Sequence, residues 1–160
     1  MKFIHLSLLL CLCSLVGLPG CGKQSNPEGR LDVSGTVTFN GGPFEGAGMY
    51  NIAFEPIDDP SSGPTAAYIS PSSGKFLCTM HDGLKPGKYR VKFNLLAQYD
   101  RRTKKPVAPD FVEEDLNKQS YSVSLLPNDF NETNVVEFEA VKGKKNVFDY
   151  NIETSYVPVP

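Results

Sequence analysis

Few residues in this chain have the type and spacing to do chemistry. After residue 20 there is one histidine, His81, followed directly by Asp82 and Gly83. An imidazole beside a carboxylate can be oriented toward a nucleophile, but no GxSxG sequence accompanies the pair. One histidine cannot form a His–His catalytic pair or a multi-His metal site within one chain, and without a nucleophile motif a solvated loop pair is expected. Carboxylates cluster at Asp58-Asp59 and at Glu113-Glu114-Asp115. Neither cluster has the alternating spacing and glycine of a calcium loop, and both are expected to be solvated charge. Asn131-Glu132-Thr133 fits a glycosylation sequon, a short pattern that assigns no chemistry by itself. The sequence points to no catalytic residue, metal ligand or cofactor site.

The four cysteines are Cys11, Cys13, Cys21 and Cys78. The first three lie in or next to an N-terminal segment with its own order: Lys2, then an apolar run from Phe3 to Val16, then Gly17, Pro19 and Gly20. A cation, an apolar stretch and small residues in that order form a secretory signal. The run is shorter than the roughly 20 apolar residues of a membrane span. Leu18-Pro19-Gly20-Cys21 resembles a bacterial lipoprotein signal, in which Leu and two small or apolar residues precede Cys. That resemblance implies diacylglyceryl transfer to the Cys21 thiol, cleavage after Gly20 and acylation of the new N-terminus. Pro19 stands where Ala or Ser is commoner. Cys11 and Cys13 are each preceded by leucine and are poor rivals. An ordinary cleaved signal, with Cys21 free or in a disulfide, is the alternative. A single acyl chain holds a protein only marginally, whereas two or three hold it stably. Gly22 occupies the position of the Asp that favours inner-membrane retention, which points to the outer membrane or cell surface.

With residues 1–20 removed, 140 of the 160 residues remain, a single-domain length that buries a core without covalent staples. Lys2 leaves with the signal, so 15 basic residues stand against 18 acidic, a formal net charge of −3. That balance, with no basic cluster interleaved with aromatics, argues against nucleic-acid binding. Cys78 is the one cysteine left for the fold. It alternates with Phe76 and Met80 on one strand face and reads as a buried apolar residue.

Residues 21–30 read as a flexible tether and 154–160 as a C-terminal tail, with a β-sandwich domain over 31–153. Leu31, Val33, Val37 and Phe39 alternate with polar or small residues, the pattern of a half-buried strand. Tyr50, Ile52 and Phe54 mark a second strand, Ala66 to Ser70 a third and KFLCTM a fourth. In the longest strand Tyr89, Val91, Phe93 and Leu95 face one way, with Arg90, Lys92 and Asn94 opposite. A polar stretch over 100–120 interrupts the pattern, and PDFVEEDLNKQ within it could form a short helix capped by Asp110. Tyr121, Val123 and Leu125 form another strand. VVEFEAV and NVFDYNI, joined by the solvated turn KGKK, read as a closing hairpin. Seven to eight short strands without a long helix predict an all-β antiparallel sandwich.

The order of VSGTVTFNGGPFEGA at 33–47, SGKF at 73–76, LKPGKYRVKF at 84–93 and the segment from Leu125 to Ile152 resembles the carboxypeptidase regulatory-like domain. The resemblance spans most of 31–153 and implies a transthyretin-like or Ig-like sandwich, a scaffold common on envelope lipoproteins. Gly41 and Gly42 are expected to supply positive φ in the NGGP turn. Ser72 and Ser73 replace the acidic residue the family commonly has there, and the 100–120 insertion is longer than a minimal domain needs. A hydroxyisourate hydrolase, an enzymatic transthyretin-like relative, relies on several histidines and a terminal Tyr-Arg-Gly-Ser; this chain has one histidine in that region and ends in YVPVP. The expected function is a non-catalytic lipid-anchored cell-envelope protein, a binding or structural module for a protein or polysaccharide partner. The alternative is a secreted domain with a cryptic hydrolytic or metal-dependent activity. Tyr68, Tyr99 and Tyr121 could stack on sugars if exposed, although Tyr68 and Tyr121 fit strand faces in the core.

Overall fold

The period-2 runs become strands, with their apolar residues facing one another across two sheets. The structure, a computed structural model, describes residues 29–79, 81–108 and 119–158. Cys21, Leu18-Pro19-Gly20, most of the tether and the helix pattern of 109–118 lie outside the described residues. The strands are β1 (Val33–Phe39), β2 (Gly48–Pro56), β3 (Thr65–Tyr68), β4 (Lys75–Cys78), β5 (Gly87–Asp100), β6 (Ser120–Ser124), β7 (Val136–Ala140), β8 (Asn146–Val147) and β9 (Tyr150–Ile152). A 3-10 turn spans Pro60–Ser62, and a single helical turn, α1, spans Phe130–Thr133.

One sheet has β1 at its centre, flanked by β4 on one side and by β8 and β9 on the other. The second is built on β5, with β2 and then β3 along one edge and β7 followed by β6 along the other. Val33, Val37, Phe76, Phe148 and Ile152 of the first meet Ile52, Phe54, Val91, Phe93 and Leu95 of the second in one buried cluster. This is the predicted all-β sandwich. Burying a side chain of this size contributes about 1.5–3 kcal/mol relative to leaving it exposed, which offsets the entropy of ordering the strands.

Two pairings differ from the expectation. VVEFEAV and NVFDYNI do not form a hairpin. β7 runs antiparallel beside β5 (Tyr89↔Phe138), while β8 and β9 lie in the other sheet, parallel to β1 (Val33↔Asn146, Val37↔Tyr150). Alternation dictates which residues face inward, but both partner choices satisfy it. Crossing between sheets lets Phe148 and Tyr150 close the core over Phe54 and Phe93, at ring-centroid distances of 6.0 and 5.4 Å. In the NGGP turn, the left-handed residues are Asn40 (φ 49) and Gly41 (φ 82), not Gly42. Phe39 and Gly42 exchange both backbone hydrogen bonds around them, as a two-residue turn with positive φ at both central positions requires.

Asn131, the sequon asparagine, is a structural residue. Between the stretches of β5 paired with β7 and with β6, Phe93 has no strand partner on that edge. The Asn131 side chain takes that place: Phe93 N–H donates to Oδ1 at 2.9 Å and Nδ2 donates to the Phe93 carbonyl at 2.9 Å. A side-chain amide thus completes the ladder like a strand residue. Asn131→Ala is expected to destabilise the domain by about 2–3 kcal/mol in urea unfolding, because two backbone groups lose their partner. A loss below about 0.5 kcal/mol would show that water replaces the contact freely.

Candidate binding surface

Side chains at even positions of β5 leave the core and form the outer face of the five-stranded sheet. The cross-strand register divides that face in two. Toward the start of β5 it is charged: Arg90 lies opposite Glu55 of β2 and Glu137 of β7, Lys88 lies opposite Glu139, and Lys92 Nζ pairs with Glu55 at 2.8 Å. Beyond Lys92 it carries no charge until Asp100. Tyr68, Asn51 and Asn94 form one row across β3, β2 and β5, and Met49, Leu96 and Ser124 form the next across β2, β5 and β6. Gln98 and Ser122 follow, bonded to each other at 2.9 Å.

Tyr68 is 54% exposed and Met49 55%, which corrects the expectation that Tyr68 faces the core. The run TAAYIS offers two alternating sets, Ala66 with Tyr68 or Ala67 with Ile69. Ile69 is fully buried, and its inward position turns Tyr68 outward. The result is an uncharged patch with one large ring and two asparagine side chains. Asn94 is exposed and Asn51 half-buried. Amides donate and accept, and a tyrosine ring offers an apolar face with a polar tip.

The other candidates behave differently. Tyr99 and Tyr121 sit on the inner face at the far end of β5 and β6, ring centroids 6.3 Å apart. Lys104 Nζ lies 4.9 Å from the centroid of the Tyr121 ring, so the ring is half-buried beneath its own turn rather than offered to a ligand. His81 Nδ1 lies 3.2 Å from Asp82 Oδ1, but the two side chains are 77% and 79% exposed. Asp59 is held below the usual carboxylate range by hydrogen bonds from Ser61 and then Ser62, as in a local loop cap. Beside it a cleft of about 170 Å³ is lined by cations and carboxylates together, among them Arg30, Asp58, Lys85 and Lys88. Glu113-Glu114-Asp115 lie outside the described residues. Among the described residues, no three His, Cys, Asp or Glu side chains stand close enough to hold a metal ion. No helix among them is long and apolar enough to cross a membrane.

Cys78 is buried next to Val33 and Phe76, as its alternation predicted. Burial, with a smaller contribution from Asp82, raises its thiol to about 11. At pH 8 about one molecule in a thousand then carries the reactive thiolate. The native protein is expected to resist iodoacetamide at this pH and to take up one equivalent at Cys78 once denatured, read by intact mass. No family model matches the chain, and no curated protein or solved structure matches it.

Proposed function

We propose that this is a non-catalytic, lipid-anchored cell-envelope protein whose sandwich binds a neutral polysaccharide on the outer face of its five-stranded sheet. The anchor rests on Leu18-Pro19-Gly20-Cys21 at the end of the apolar run. The binding reading is carried by one observation, the uncharged row Tyr68-Asn51-Asn94 beside Met49 and Leu96 on the half of the outer face beyond Lys92. An exposed ring gives a sugar's apolar face a stacking platform, and the flanking amides can donate to and accept from hydroxyls. The absence of charge favours a neutral chain over an anionic one. The motif resemblance to carboxypeptidase regulatory-like domains supports the same reading, because the turns that carry it, such as NGGP and Pro86-Gly87, specify a scaffold and no reaction.

The anchor and the binding surface are tested separately. Mass spectrometry of the mature N-terminal peptide is expected to show a lipid-modified Cys21, and Cys21→Ser is expected to move the protein from the membrane to the soluble fraction. An unmodified thiol sinks the anchor. On an array of neutral glycans the protein is expected to bind, with Tyr68→Ala weakening binding at least tenfold, the scale of a central tyrosine contact. Because Tyr68 is exposed, the same substitution should leave the melting temperature within about 2 °C of the parent, consistent with surface changes of under about 0.5 kcal/mol. Binding that survives Tyr68→Ala unchanged places the ligand elsewhere.

A further inference from the structure

The strand directions gather one set of loops at the end of the sandwich where the tether enters. Leu31 and Leu84 exchange backbone hydrogen bonds of 2.7 and 3.1 Å, which fixes the start of the domain against the segment leading into β5. The Val141–Lys145 loop reaches the same end, since Ala140 lies opposite Gly87 and β8 starts at Asn146 beside Val33. The loop is held by a buried asparagine. Val141 N–H donates to Asn146 Oδ1 at 2.8 Å, and Asn146 Nδ2 lies 3.3 Å from the carbonyls of both Val141 and Lys144. Gly143 takes the left-handed conformation the turn needs (φ 78). This braced turn leaves Lys142, Lys144 and Lys145 all exposed, and none of the three has an ion-pair partner among the described residues. Lys85 and Lys88 at this end share their cleft with Asp58 and Asp59. That cleft lies on the β2 side of β5, whereas the lysine loop leaves from β7 on the opposite side, so those carboxylates do not neutralise it. Glu139 sits on β7 opposite Lys88.

We propose that the Lys142-Gly143-Lys144-Lys145 loop docks on an anionic phospholipid surface and fixes how the anchored domain stands on its membrane. The inference rests on the lipid anchor of the proposed function. Residues 22–30 between Cys21 and the domain span at most about 30 Å when extended. The loop is therefore confined close to the headgroups, and a weak contact becomes an intramolecular one at high effective concentration. Each lysine close to an anionic leaflet favours the bound state roughly fivefold, so three favour it about a hundredfold, and salt screens the effect. The domain then lies with its tether end on the membrane and its Arg101–Lys105 turn pointing away.

The experiment uses the protein purified with its anchor and reconstituted into vesicles of phosphatidylcholine alone or mixed with phosphatidylglycerol. Amine-reactive labelling with peptide mass spectrometry reads each lysine. Labelling of Lys142, Lys144 and Lys145 is expected to slow about tenfold on the anionic vesicles, with Lys104 and Lys105 unchanged and the protection lost in 0.5 M salt. Equal labelling on both vesicles, or protection of Lys104 and Lys105 instead, overturns the proposal. The same spectra show whether Cys21 carries lipid, so a failed anchor is read separately from a failed loop. If Cys21 is unmodified, the unanchored chain is added to preformed phosphatidylglycerol vesicles. The K142Q/K144Q/K145Q variant should then bind about a hundredfold more weakly at low salt, and unchanged binding overturns the proposal.

Discussion

Phe54→Ala is expected to lower the unfolding free energy by about 4 kcal/mol, within the range for removing a buried aromatic ring. Phe54 is fully buried and is the point at which both sheets meet. Its ring centroid lies 6.0 Å from Phe76 of β4, 6.0 Å from Phe148, 5.7 Å from Phe138 of β7 and 6.4 Å from Tyr89 of β5. Three of these four contacts are edge-on, an arrangement that adds about 0.5–1.5 kcal/mol per pair beyond the area buried. Phe76, Phe138 and Tyr89 belong to strands pinned by their own ladders, and Phe148 is held in the link between β8 and β9, so the cavity cannot collapse cheaply. Against a total stability of about 5–15 kcal/mol for a domain of this kind, such a loss leaves the variant near its threshold. Urea unfolding should show the midpoint falling with an unchanged slope. Phe54→Leu should cost less than half as much. A loss of under about 1.5 kcal/mol for Phe54→Ala would mean that the sheets do not close over this ring.

The inward positions were legible because period-2 alternation is a property of each strand by itself. Tyr50, Ile52 and Phe54, then Tyr89, Val91, Phe93 and Leu95, all lie in the core as their spacing demands. What alternation cannot encode is the partner strand. KGKK between two alternating runs looks like a hairpin turn, and only the placement of Phe148 against Phe54 and Phe138 shows why the chain crosses to the other sheet. The binding surface was harder to see for a related reason. Tyr68, Asn51, Asn94, Met49 and Leu96 come from three segments, and only the strand register sets them side by side. The role of Asn131 was hidden as well, because a gap between two partners of one long strand has no sequence signature. One signal was present in plain view: the alternation of β1 lapses at Gly35, and a glycine inside a strand often marks a close backbone approach.

That lapse leads to the second large effect. Gly35→Ala is expected to destabilise the domain by about 3 kcal/mol or more, although intrinsic preference runs the other way. Gly35 does not have a left-handed φ, and where the backbone is compatible, glycine to alanine stabilises by about 0.4–1 kcal/mol through the unfolded chain. The native contact outweighs this gain. A Cβ on Gly35 would lie 1.7 Å from the Phe148 carbonyl oxygen and 3.0 Å from the Phe76 ring. β1 pairs with β8 through Ser34 and resumes the same register with β9 at Val37. The Phe148 backbone therefore passes over Gly35 while held on both sides. Phe148 N–H donates to the Ser34 carbonyl at 2.9 Å, and Thr36 N–H donates to Asp149 Oδ1 at 2.8 Å. Relief of the clash must draw β8 and β9 off β1 and carry the Phe148 ring out of its place beside Phe54, and overpacking that moves backbone falls at or beyond the upper end of the 1–3 kcal/mol range. Gly41→Ala is the control. Gly41 is left-handed (φ 82) with nothing within 4 Å of its Cβ position, so it should lose only the 1–2 kcal/mol of a left-handed alanine. Thermal unfolding of the two variants side by side should place Gly35→Ala clearly below Gly41→Ala. The reverse order would show that the Phe148 backbone does not press on Gly35 and that β1 and β8–β9 are not in the register described.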